Sequence, residues 1–131
     1  MGKILTIPNE DFVYMRVHQV NIDFSNSNDE HIIKPVAFDP KGIGLSVDWS
    51  KYSTPEETLN RAKKPEKNGI VSMSVNGLRK KPLPLDVLHK PSNSNYSHSE
   101  IFEIPPRKPS DMGIRVKLMD LCNWEINCQD S

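Results

Sequence analysis

Seven polar side chains fall at alternating positions of segments that read as strands. They are Tyr14, Arg16 and His18 in residues 12–18, Ser46 and Asp48 in residues 43–49, and His98 and Glu100 in residues 98–104. A two-residue period puts each set on one face of its strand. Arginine offers a bidentate fork and histidine titrates near neutral pH, so Tyr14, Arg16 and His18 can line a pocket for an anion or a nucleotide. Ser46 and Asp48 beside a histidine can be drawn as an Asp–His or Ser–His relay. If residues 43–49 pair with residues 12–18, Arg16 can instead meet Asp48 as a plain cross-strand ion pair. The competing account of the whole set is a solvated sheet face with snorkelling side chains. His98-x-Glu100 can supply two metal ligands, but a zinc site takes four. His31 and His89 lie in a loop or near an edge without ligand spacing, so no metal and no cofactor is expected.

Other charged groups have simpler roles. Glu56 and Glu57 are adjacent residues of an expected helix and do not face each other, so they read as caps rather than paired catalytic carboxylates. Three basic clusters, Lys63/Lys64/Lys67, Arg79/Lys80/Lys81 and Arg107/Lys108, lack interleaved aromatics and read as solvated surface. Cys122 and Cys128 are the only two cysteines and read as reduced thiols rather than a disulfide framework. No Gly-rich phosphate loop, Gly-x-Ser-x-Gly elbow or His-Glu-x-x-His motif occurs.

The elements that must position these groups are legible in outline. Residues 12–18 alternate, with Val13, Met15 and Val17 on an apolar face. Residues 21–30 are Asn/Ser/Asp-rich and read as a loop, 32–38 as a short strand, and 39–42 as a turn. In residues 43–49, Ile43, Leu45, Val47 and Trp49 share one face. Thr54, Pro55 and Glu57 form a capping box with proline at the first helical position, opening a short helix over 54–64 that Pro65 stops. Residues 69–75 alternate. Asn76-Gly77 suits a hairpin turn or the start of a short helical turn through Lys81. Residues 85–89 suit an edge strand, 91–97 a polar loop and 98–104 a strand. Residues 105–109 are a stiff proline-rich connection. Ser110 then caps an amphipathic helix over 110–122, carrying Met112, Val116 and Met119 with Ile114, Leu118 and Leu121. Trp124 and Ile126 are expected to complete the core. The fold class is α+β: a small mixed or mostly antiparallel sheet with one short capped helix and one C-terminal helix.

Length and composition set the bounds. The 131 residues fit a single domain, with residues 1–10 as an N-terminal extension. Such a domain buries roughly two-thirds of its unfolded surface and needs no staple. Seventeen basic residues balance seventeen acidic ones, which argues against a non-specific nucleic-acid binder. No apolar run reaches the roughly 20 residues of a membrane span, and the start Met1-Gly2-Lys3-Ile4-Leu5 is too short for a secretory leader. Gly2 with Thr6 matches a myristoylation pattern, and Asn95-Tyr96-Ser97 a glycosylation sequon, at the level of short motifs only.

Tyr14-x-Arg16, Ala37-Phe38, Leu45-Ser46-Val47-Asp48, Thr54-Pro55-Glu56-Glu57, Gly69-Ile70-Val71, Val75-x-Gly77-x-Arg79, Pro91 and His98-x-x-Ile101, in that order, resemble a family of small bacterial proteins. The resemblance spans residues 12–101; the loop at 21–30 is longer and richer in Asn and Ser than that pattern. It implies a bacterial, cytoplasmic protein and carries no activity or catalytic residue. Arg16, Ser46 and Glu100 also resemble the early Arg or His, the second-strand Ser or Tyr and the late Glu of ADP-ribosyltransferase-like domains, on a compressed spacing. That likeness concerns fold plan, not function.

The leading expectation is a small binding or accessory protein that acts through a protein partner or a homo-oligomer. The alternative is a small enzyme or nucleotide binder, which requires Tyr14, Arg16, His18, Ser46, Asp48, His98 and Glu100 to converge on one concave pocket. A third reading, RNA or DNA binding through the lysine clusters, requires steeply salt-dependent affinity.

Overall fold

The computed structural model describes residues 6–24, 31–40, 44–80, 83, 85–105 and 112–129. In chain order the strands are β1 (Phe12–His18), β2 (Ile22–Asp23), β3 (Ile32–Ile33), β4 (Leu45–Trp49), β5 (Asn68–Ser74), β6 (Asp86–His89), β7 (His98–Phe102) and β8 (Asn123–Ile126). The helices are α1 (Pro55–Asn60), α2 (Val75–Arg79) and α3 (Met112–Leu121). Six strands form one antiparallel sheet in the order β6-β7-β4-β1-β5-β8, and β2 pairs with β3 as a small second sheet. The protein is α+β, as its sequence indicates.

Alternation decides the faces. Val13, Met15 and Val17 of β1, Leu45, Val47 and Trp49 of β4, and Val71 and Met73 of β5 are buried in one core with Val87 and Ile101. Each fully buried aliphatic or aromatic side chain contributes roughly 1.5–3 kcal/mol. That face is closed by α2 and α3, which bring Leu78 and Leu118, and by Phe38 of the 3₁₀ turn Pro35–Phe38. Of the extension expected over residues 1–10, the described part belongs to the domain: Ile7 is fully buried, and Thr6 bridges to Leu88.

Several elements differ from expectation. The strand expected at 32–38 is β3 followed by a 3₁₀ turn, because Pro35 presets a helical φ and has no N–H for a ladder. The capping box opening α1 forms: Thr54 Oγ1 accepts from the Glu57 N–H and Glu57 Oε1 from the Thr54 N–H. The helix ends at Asn60 rather than 64, with Arg61 as its C-cap. Lys64 is barred from helical backbone by the following proline, and Pro65 starts a new 3₁₀ turn rather than stopping the helix. Of the two options at Asn76-Gly77, the helical one holds, capped by Ser74 Oγ on the Gly77 N–H.

In α3, Val116, expected on the apolar face, is 48% exposed, whereas Arg115 is 1% exposed. Its guanidinium donates from Nε and Nη2 to Asp39 Oδ1 at 3.1 and 2.7 Å, and from Nη1 to the Pro105 carbonyl at 2.9 Å. The buried stripe therefore runs through Arg115 and Leu118. Trp124 and Ile126 belong to β8, an edge strand, where they are half-buried. Residues 25–30, 41–43 and 106–111, and with them part of the expected loop and turn, Ile43, the Arg107/Lys108 pair and the Ser110 cap, lie outside the described residues. Gly2 and Lys81 lie outside them as well.

Candidate functional site

The second face of the sheet carries the polar set. Register places Ser46 opposite Glu100 and Asp48 opposite His98 between β4 and β7, and Tyr14 opposite Asp48 between β1 and β4. The two halves of this face differ. Over β1, β5 and β8 it is roofed by α1, beneath which Ile70 and Ser72 are buried. Over β4 and β7, Ser46 is exposed, His98 half-buried, and Glu100 pairs with Lys90 at 3.9 Å.

Asp48 is the anchor of the site. It is 4% exposed, and both carboxylate oxygens are engaged. Arg61 Nη1 donates to Oδ2 at 2.8 Å, and Asn95 Nδ2 to Oδ1 at 2.8 Å. Arg61 Nη1 also donates to Ser53 Oγ at 2.9 Å, and that hydroxyl lies 2.8 Å from Thr58 Oγ1. One network therefore ties β4 to the end of α1 and to the loop before β7. Asn95 closes an Asx turn as well, its Oδ1 accepting from the Ser97 N–H at 3.1 Å. A buried carboxylate satisfied on both oxygens is held rigidly.

The expected Arg16–Asp48 ion pair does not form. Arg16 lies two residues beyond Tyr14 on β1, past the last β1–β4 pairing, and donates from Nη1 to the Thr58 carbonyl at 3.2 Å. His18 stands apart at the end of β1, where its Nδ1 accepts from the Val20 N–H. Tyr14 lies between α1 and β8. Partial burial, then the charge of Glu125, then that of Glu56, holds its phenol above the usual range.

Ser46 and His98 do meet. His98 Nε2 lies 3.3 Å from Ser46 Oγ, and His98 Nδ1 lies 2.8 Å from the Lys90 carbonyl. Asp48 orients neither group.

Two open depressions lie elsewhere. One, about 590 Å³, is lined by Thr6, Pro8, Asp11, Trp49, Ser50 and Lys51. The other, about 560 Å³, is lined by residues that include His31, Met119, Cys122 and Trp124. None of the seven expected residues lines either. Burial pushes the Cys122 thiol up to about 12, so it stays protonated. Among the described residues, no group of three or more His, Cys, Asp or Glu is placed to hold a metal, and no helix is long and apolar enough to cross a membrane.

The sequence reading missed Arg61 and Asn95. By sequence Arg61 belongs with the cations near the helix end, and Asn95 reads only as part of a glycosylation sequon in a polar loop; the Asn-x-Ser spacing of an Asx turn is the available signal. The reading of Arg79 as solvated surface is also corrected. Arg79 Nη1 donates to Asn9 Oδ1 at 2.7 Å and to the Ile7 carbonyl, and Nη2 to the Val87 carbonyl at 3.1 Å. It ties the N-terminal segment to β6.

No family model, no curated protein and no solved structure matches the chain. Fold and site together define an α+β domain that presents one rigid, half-roofed polar sheet face.

Proposed function

We propose that the chain is a small binding domain, acting in the cytoplasm through a protein partner, and that the unroofed β4–β7 half of its polar sheet face is the recognition surface. The observation that carries this reading is the Asp48 network, which lies on this face beside Ser46 and His98 and fixes it. A buried, doubly engaged carboxylate costs nothing further to order when a partner arrives, and preorganisation of that kind raises affinity. The surface around it mixes Lys90, Glu100, Ser46 and His98 with half-buried Phe102, over whose ring the Lys90 ammonium lies. Aromatic anchors among polar groups of both signs suit a protein partner. The same mixture of signs disfavours a polyanion.

The test compares partners retained from native-host lysate by the wild-type chain and by a Ser46→Arg, Glu100→Arg double variant. Both side chains lie on the polar face, away from the core, and thermal melting checks that the variant keeps the fold. A specific partner retained by the wild type and lost by the variant supports the reading. Equal retention by both would sink it.

A further inference from the structure

We infer that Ser46 is a reactive hydroxyl with His98 as its base, so that this face can accept an acyl group from a small activated ester. This goes beyond the partner reading and does not depend on it. The Lys90 carbonyl can only accept, so the 2.8 Å contact from His98 Nδ1 places a proton on that nitrogen. In the neutral ring, Nε2 is then a bare acceptor, and it lies 3.3 Å from Ser46 Oγ. A nucleophile, a base and a group that fixes the base's tautomer stand in line, with a backbone carbonyl in the orienting role.

The strands hold this line. Ser46 and His98 are diagonal neighbours across the β4–β7 ladder, since Ser46 faces Glu100 and His98 faces Asp48. The Lys90 N–H donates to the His98 carbonyl at 2.9 Å, which locks the backbone that presents the imidazole. Among the described residues, no other serine hydroxyl lies in hydrogen-bond reach of a histidine ring nitrogen; the Ser50, Ser53, Ser72 and Ser74 hydroxyls bond to backbone, arginine, threonine or carboxylate groups. Ser46 is also exposed, so an electrophile reaches it from solvent.

The step balances without a further reagent. The Ser46 Oγ–acyl bond forms as the ester C–O bond breaks, the hydroxyl proton passes to His98 Nε2 and then to the departing oxygen, and water reverses the sequence to release the acid. The face offers no enclosing cradle of amide donors, because the β4 and β7 backbone groups face one another in the ladder. Leaving groups must therefore be good ones, which restricts the substrate class to aryl esters and similar activated acyl donors.

The experiment treats the full chain with a fluorophosphonate probe and, separately, with p-nitrophenyl acetate, and maps adducts by mass spectrometry. The expected result is one adduct, on Ser46, absent from Ser46→Ala and formed about 100-fold more slowly by His98→Gln, the scale of a lost general base. Thermal melting checks that both variants fold. If His98→Gln does not fold, the wild-type map decides alone. No adduct, an adduct elsewhere, or an undiminished rate in folded His98→Gln overturns the inference. Loss of the protein partner in the lysate test leaves this result unaffected, so the two ideas fail separately.

Discussion

Asn95 Nδ2 donates to Asp48 Oδ1 at 2.8 Å across 47 residues of chain, and Arg61 completes the carboxylate from the other side. This arrangement makes Asp48 the keystone of the polar face. Removing Arg61 strands a buried carboxylate, whereas Asp48→Asn keeps one acceptor oxygen, turns an amide NH2 toward the other donor, and leaves the unpaired charge on Arg61, which is 30% exposed and reached by water. Arg61→Ala is expected to cost about 2–3 kcal/mol, the lower end for a broken buried pair because Arg61 keeps 30% of its side-chain exposure. Asp48→Asn should cost less. Urea denaturation of the two variants checks the order.

Arg115 is the second buried ion. Its loss leaves Asp39, 31% exposed, without its guanidinium partner and the Pro105 carbonyl without a donor. Arg115→Leu is expected to lower stability by roughly 3 kcal/mol. In hydrogen exchange, the loss should appear first in α3, which this clamp holds against the Pro35–Phe38 turn.

Two glycines should respond in opposite directions. A methyl group on Gly69 would stand 2.8 Å from the Ile126 carbonyl and 2.9 Å from the Cys128 nitrogen, both backbone atoms. Gly69→Ala is therefore expected to dislodge β8 at a cost of about 1–3 kcal/mol. Gly113 in α3 meets nothing within 4 Å. Gly113→Ala should stabilise by up to about 1 kcal/mol through helix propensity. Melting temperatures of the pair read both signs.

Alkaline pH should weaken the fold. The phenol of Tyr14 is held above its usual 10.0 and the Cys122 thiol above its usual 9.0, so the folded state keeps protons that the unfolded chain releases. Stability from both groups is complete below those ordinary values and declines as pH rises past them. Tyr14→Phe should flatten part of that decline, measured as denaturation midpoint against pH. At pH 8 the native Cys122 should react with iodoacetamide much more slowly than in the urea-unfolded chain.

Much of the frame was legible because it depends on local rules. Alternation placed the residues of β1, β4, β5 and β7, and Thr54 with Glu57 marked the start of α1 correctly. The site was less legible because register is a long-range property. The β1–β4 register that sets Tyr14, not Arg16, opposite Asp48 decides which ion pair exists, and no local pattern encodes it. Arg115 was unreadable for the same reason, since its burial depends on Asp39 lying 76 residues away. The edge strand β8 has too few residues to show a period. Ser46 and His98 were both named from the sequence, but only the β4–β7 pairing brings them to 3.3 Å.

The most direct test of the β4–β7 face as recognition surface is photo-crosslinking in native-host lysate. A benzophenone amino acid replaces Phe102 or Lys90 on that face, with exposed Val116 on α3 as a control. The account expects one common partner crosslinked from positions 102 and 90 and nothing specific from 116. A partner captured from position 116 but from neither position on the sheet face would contradict it.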